Sequence, residues 1–416
     1  MSSSSSSSDK VGSNEDLLLQ ILLRLPIKSL LRFKSVSKQW LSLISDPRFA
    51  RRWRPTSSPP SGLFYHWFST AYVCDLPHID FIPLDNNNIN MMNFSSSSSS
   101  TTTTYPPNLE FFPYLYDITF MNSNNGLICC VVHRRLNPRA SYYHVINPST
   151  RQFTTLPQPS LSNLHLDGLT MAFDPSKSPH YKLVSVRSKI DEEYCSAPPT
   201  HYQLEIYSSE TRSWNASIVT ITVPKRHIIS FHRGVNWNGA IVWFAVSGES
   251  LFFQVDEERI GTIPELTFEE GFWYNRVFCV GESNGHLYLV ETYKATTKVK
   301  VYEMESDFSS GWVMKYNIDL FEVGKAFPLM LKRLPGRTNS PYTFDVISLV
   351  WRDEKLISKT TTSPAPFLVV SIPGKMIRFN LEEEESFMEI CDVDIKYYER
   401  DERSHHYIES LFTTSP

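Results

Sequence analysis

The side chains that could do chemistry in this chain are scattered. Six cysteines stand at 74, 129, 130, 195, 279 and 391, with no Cys-x-x-Cys pair among them. That spacing suits neither a zinc site nor a disulfide framework and points to a reduced, intracellular setting. Cys129-Cys130 and His405-His406 are adjacent pairs, but neighbours on a strand point to opposite faces, so neither pair can grip one metal ion. For His405 and His406 the expectation is one surface and one core residue. No Gly-rich phosphate loop, Gly-x-Ser-x-Gly nucleophile turn or His-Glu-x-x-His pair is read in the chain. Glu382 to Glu385 read as a solvated turn. Catalytic residues, metals and cofactors are expected to be absent, so the protein should act by binding.

Two stretches suit binding. Residues 27 to 54 carry Lys28, Arg32, Lys34, Lys38, Arg48, Arg51, Arg52 and Arg54 against Asp46 alone, a net of +7 in a chain whose total is −4. The remainder therefore carries −11, and the partner of so local a patch should be acidic. Nucleic acid is one such partner and an acidic protein another. Against nucleic acid stand the neighbouring leucine face, the lack of a recognition-helix or base-stacking pattern, and the acidic remainder. The second stretch is "FEEGFWYNR" at 268 to 276, where Phe272, Trp273 and Tyr274 could anchor a partner protein or fill a groove in the fold.

The elements that must carry these features change character along the chain. Residues 2 to 8 are all Ser, and Asn, Ser and Thr dominate a stretch near 85 to 108. Both read as disordered, because they lack apolar surface to offset the entropy of ordering. Residues 14 to 46 have helical spacing: Leu17, Ile21 and Leu25 recur every four residues, Ser13 and Asp16 form a capping box, and Pro26 stops the first helix. Two short helices come next, over 28 to 34 and 36 to 45. So small a unit is marginal alone and should complete its core on a partner. No stretch approaches the roughly 18 apolar residues of a membrane span, and no secretory signal is read, so neither membrane nor secretion is expected.

From about residue 61 the period falls to two. Asn-Gly at 125-126, 238-239 and 284-285 precedes "GLICCVV", "GAIVWFAV" and "GHLYLV", the strongest short-range hairpin signal. "VINPSTRQF" at 145 to 153 matches "IYSSETRSW" at 206 to 214, and "VYEMESDFSSGW" at 301 to 312 is a looser copy. Repeats about every 50 residues fit propeller blades of four strands. Blades are predicted near 111–160, 164–222, 229–266, 277–322 and 342–394, with the segments at 62–68 and 405–412 sharing a closing blade. Six or seven blades are expected over 61–412, in a mainly β chain with a three-helix N-terminus. Repetition makes Thr150-Arg151 and Thr211-Arg212 structural turn residues.

Residues 14 to 54, "NEDLLLQILLRLPIKSLLRFKSVSKQWLSLISDPRFARRWR", resemble the F-box. The remainder of the chain looks like the F-box associated domain of plant F-box proteins. There "NPSTRQFTTLP", "AFDPSKSPHYKLV", "GVNWNGAIVW" and "GESNGHLYLV" stand in family order. The resemblance implies a substrate-recognition subunit of an SCF-type ubiquitin ligase, itself non-catalytic, acting in cytoplasm or nucleus. Its F-box would dock on a Skp-type adaptor, and through it cullin, by Leu17, Ile21, Leu25, Pro26, Leu30, Leu31, Val36, Lys38 and Trp40. The propeller would hold a target protein. Many members begin the first helix with Leu-Pro, where Ser13-Asn14 stand here. Two other readings stay open: an adaptor-bound scaffold without degradation, and a propeller that binds a ligand. The last needs an inward ring of polar residues at the channel, and none is read in the sequence.

Overall fold

The computed structural model describes residues 15–53, 60–67, 78–84, 109–115, 118–134, 137–189, 201–225, 227–266, 276–293, 296–305, 307–331, 343–351, 366–382, 386–393 and 402–415. Ser13, the Ser-rich start, the 85–108 stretch and Phe272, Trp273 and Tyr274 lie outside these.

The N-terminal unit has four short helices where three were expected: α1 (Glu15–Leu22), α2 (Ile27–Phe33), α3 (Lys38–Ser45) and α4 (Pro47–Trp53). Local chemistry accounts for their starts. Pro26 precedes α2, and the Ser37 hydroxyl accepts from Trp40 N at 3.2 Å to cap α3. The unforeseen α4 begins with proline, whose missing N–H costs nothing in a first turn, after Asp46 accepts from Arg48 N at 2.7 Å.

The rest is a propeller of six blades. Blade 1 has strands Ile118–Asn124, Leu127–Arg134, Asn137–Asn147 and Gln152–Thr155. Blades 2 to 5 are likewise four-stranded antiparallel meanders, beginning at His165, Val235, Arg276 and Asp345. Blade 6 is three-stranded: Glu402–Tyr407 lies innermost and pairs with Gly62–Trp67, which pairs with His78–Pro83. Gly62 stands opposite Tyr407 and Trp67 opposite Glu402, so the two ends of the domain close the ring and hide its edges. Innermost strands touch in cyclic order, and apolar clusters fill the spaces between blades, as where Val290 and Val301 of blade 4 meet Leu368 and Val370 of blade 5.

Four antiparallel strands return the chain to the face it left. The turns after the first and third strands of every blade therefore share one face, called here the turn face. All three Asn-Gly pairs sit on it with positive φ at both residues (47° and 84°, 49° and 78°, 55° and 87°), the geometry of a two-residue hairpin turn. The repeated arginines, Arg151 and Arg212, also hold positive φ, 57° and 55°. Asn147 sets its turn by accepting from Ser149 N (2.8 Å) and Thr150 N (3.2 Å), whereas Ser208 uses its backbone carbonyl, which accepts from Arg212 N.

These glycines supply a graded test. A Cβ on Gly285 meets nothing within 4 Å, so Gly285→Ala should cost only left-handed strain, about 1–2 kcal/mol. On Gly126 it would lie 2.2 Å from Ser410 Cβ and 2.6 Å from Ile408 O, adding roughly 1–3 kcal/mol of overpacking. Denaturant midpoints of the two variants should separate accordingly, and equal midpoints would contradict the contact with the C-terminal segment.

Blade 2 holds a buried ion pair. Arg187 and Glu205 have Nε and Oε2 4.0 Å apart and side chains almost wholly buried. Arg187 also donates to Tyr143 Oη (2.7 Å) and Leu164 O (3.3 Å), while Glu205 accepts from Ser160 N (2.7 Å) and Leu161 N (3.3 Å). The pair thus ties the blade 1 to blade 2 connection into the core.

Candidate functional site

Helical spacing sorts the leucines of the N-terminal unit into an inward and an outward set. Leu18, Leu22, Ile27, Leu30, Ile44, Phe49 and Ala50 form its core. Phe33 and Trp40 pack edge to face at 5.1 Å, and the Trp53 indole donates to Leu25 O at 2.9 Å, so the last helix clasps the first turn. Outward stand Leu17 (40% exposed), Ile21 (41%) and Val36 (58%), with Pro26 and Lys38 also exposed. Leu25, Leu31 and Trp40 are half-buried. Leu30 has no exposed surface: it belongs to the unit's own core and offers nothing to a partner. Leu41, at 46%, is an exposed apolar residue absent from the predicted set. Its signal was available, three residues after Lys38 and one after half-buried Trp40.

The expectation that this unit must borrow core from a partner needs correction, because part of that core comes from the same chain. Leu411, 8% exposed, joins the helical core, and Phe412 packs against both the helices and the propeller, edge-on to Phe173 at 5.3 Å. Asn147 holds this segment down, its amide donating to Ser410 O (3.1 Å) and Phe412 O (2.7 Å), and Tyr181 Oη donates to Thr414 O (2.8 Å). Arg51 reaches Ser176 O at 3.4 Å. The helices therefore sit against the turn face at blades 1 and 2.

Around the axis, the inward polar lining unseen in the sequence is present. A cavity of about 270 Å³ is bounded by the innermost strands of blades 1, 3, 4, 5 and 6 and by the approach to blade 3. Ser123, Asn124, Arg233, Asn236, Glu282, Asp345 and His406 line it. No blade contributes more than two of these and blade 2 contributes none, which is why no single stretch announced them. His405 and His406 do diverge, but neither is a surface residue: His405 packs edge-on to Phe120, and His406 Nε2 meets Ser348 Oγ at 2.8 Å. Burial pulls the His406 imidazole down to about 4, so it is neutral at pH 7. Burial likewise pushes the Glu282 carboxyl up, although it accepts from Gly285 N at 2.7 Å.

Cys129 and Cys130 enter different apolar clusters, as strand alternation requires, and burial pushes the Cys129 thiol up to about 12. Contrary to the expectation that no such motif occurs, Gly281-Glu282-Ser283-Asn284-Gly285 does spell Gly-x-Ser-x-Gly. Its setting is wrong for a nucleophile. Ser283 ends a strand that turns into another strand, is buried, and its hydroxyl accepts from Trp351 N at 2.8 Å. Among the described residues no group of three metal-ligating side chains occurs, and no helix is long and apolar enough to cross a membrane.

Comparison with known proteins agrees with this division. Residues 14–52 match the family model of the F-box domain, and residues 80–322 that of the F-box associated beta propeller domain. The F-box protein At5g07610 of Arabidopsis thaliana is 34% identical over 399 residues, 94% of this chain and 88% of its own. The F-box protein At5g49610 of the same plant is 27% identical over 74% of this chain and 79% of its own. A puromycin-hydrolysing peptidase of Mycobacterium tuberculosis overlaps 65% of this chain and 38% of its own at a TM-score of 0.37 and 11% identity, a likeness too low to carry an argument.

Proposed function

Because the chain belongs to the plant F-box proteins with an F-box associated propeller, we propose that it is the substrate-recognition subunit of an SCF-type cullin-RING ubiquitin ligase. In this reading the helical unit docks on a Skp-type adaptor and the propeller holds a target protein. The observation that carries it is the outward set of apolar residues. Leu17 and Ile21, one turn apart on α1, with Val36 in the α2–α3 connection and Leu41 on α3, remain exposed after the unit has packed its own core and received Leu411. Exposed Lys28, Lys38, Arg48 and Arg52 supply a positive flank for an acidic partner. Leu25, Pro26, Leu31 and Trp40 would contribute at the margin of this face. The chemistry asked of the chain is proximity: it holds target and ubiquitin-loaded enzyme together and raises their effective concentration with no reacting group of its own. Phe272, Trp273 and Tyr274 are proposed target anchors, and cytoplasm or nucleus the proposed location.

The test is capture of a purified Skp-type adaptor by the full chain and by a Leu17→Asp, Ile21→Asp variant. Both positions are exposed, so the variant should keep its melting temperature while affinity falls about a hundredfold, the equivalent of roughly 2.7 kcal/mol. Undiminished capture by the folded variant would remove α1 from the interface. Capture by neither protein would leave an independent binding propeller.

A further inference from the structure

The axis of the ring is neither packed nor a bare hole. Its cavity could hold about nine water molecules at roughly 30 Å³ each, or one compact organic molecule in their place. Toward the turn face its wall carries uncharged hydrogen-bonding groups from three blades, Ser123 and Asn124, Asn236, and His406, beside Glu282, whose carboxyl accepts from Gly285 N.

The fold does not use up these groups. Among the described residues Asn236 Oδ1 is buried without a hydrogen-bond partner, and Ser123 stands on the same lining. Asn124 spends its carbonyl oxygen on Asn125, and His406 spends Nε2 on Ser348, which leaves an amide NH₂ and a ring nitrogen. Val280, Val346 and Ile347 supply apolar wall between them.

Charge in the lining is balanced against ions of either sign. Arg233 lies in the same cavity as Asp345 and Glu282, so an anion meets two carboxyl groups and a cation meets a guanidinium. Hydroxyl, amide and neutral imidazole groups together offer donors and acceptors, which matches ligand hydroxyls that both donate and accept.

We propose that the central channel binds one small, neutral, polyhydroxylated molecule of about monosaccharide size, held by Ser123, Asn124, Asn236 and His406. The site is independent of adaptor docking, which occupies the helical unit.

Three probes share one ring and differ in charge: glucose, glucosamine and glucuronate. Saturation-transfer NMR and calorimetry on the full chain should show glucose binding with a Kd in the millimolar range or tighter, and both charged analogues weaker by about tenfold or more. A Ser123→Ala, Asn236→Ala variant should lose about tenfold in glucose affinity with its melting temperature kept. If the double variant does not fold, Ser123→Ala alone, the removal of a single hydroxyl, serves for the comparison. Three outcomes would overturn the proposal: no transfer to any of the three sugars, meaning a channel that holds water only; preference for a charged analogue; or equal glucose binding by wild type and folded variant.

Discussion

Deleting residues 410–416 is expected to release the helical unit from the propeller and to cost the protein most of its stability. The segment is short, but it is shared by two cores. Leu411 completes the core of α1 to α4, Phe412 fills the seam against Phe173, and Asn147, Ser149 and Tyr181 bond the backbone of this segment. Truncating a buried Leu costs about 2–5 kcal/mol and a buried Phe about 3–5, so losing Leu411 together with half-buried Phe412 removes a large part of the margin of a typical domain. Leu411→Ala alone should cost about 2–4 kcal/mol, less than the upper range because neighbouring half-buried leucines can close the gap. Hydrogen exchange would read the effect by location. Amides of α1 and α2 should lose protection in the deletion while blades 3 to 5 keep theirs, and unchanged exchange in the helices would show that they stand without the C-terminal segment. A released unit would still present Leu17 and Ile21, but at no fixed angle to the propeller.

The second large effect belongs to Glu205. Replacing it by Ala leaves Arg187 charged and buried, and strips Ser160 and Leu161 of their acceptor, so a loss of about 3–5 kcal/mol is expected. Removing both charges as Glu205→Leu, Arg187→Met should cost less than Glu205→Ala alone, because no uncompensated ion then stays inside. Thermal unfolding of the two variants decides the matter. A double variant worse than the single would mean that the bonds to Tyr143 and Leu164 matter more than the charge. Local exchange should rise first at 156–164, the connection that Glu205 pins.

Which parts of this architecture were readable beforehand depends on the range of the forces involved. Asn-Gly turns, the Thr-Arg repeats and the Leu-Pro break are local, and the blades fell close to their expected spans. α4 was legible in the local start signal Asp46-Pro47 and in Phe49, Ala50 and Trp53 at helical spacing, but its arginines drew the reading toward a solvated basic run. Leu17 and Leu30 look alike in a helical pattern. Only the packed unit tells that one faces out and the other in. The channel lining is the extreme case: Ser123, Asn236, Glu282 and His406 are far apart in sequence, and nothing short of ring closure brings them to one wall. Leu411 and Phe412 read as the end of a closing strand, and their place between the helices and the propeller required knowing which face the helices occupy.

The pairing of Gly62–Trp67 with Glu402–Tyr407 also has a consequence for how the protein is made. A ribosome delivers the second of these strands only after all of blades 1 to 5, a wait on the order of tens of seconds. Blades 1 to 5 can each zip from contiguous chain as they emerge, whereas Gly62–Trp67 can pair early with His78–Pro83 on one edge only and must keep its other edge open, or sheltered by other proteins, until those blades are made. Any product cut short before residue 402 lacks the strand that shuts the ring and carries open strand edges at both ends, the kind of surface that chaperones and proteases recognise. Delivery of Glu402–Tyr407 is thus the step at which the ring of a nascent chain can close.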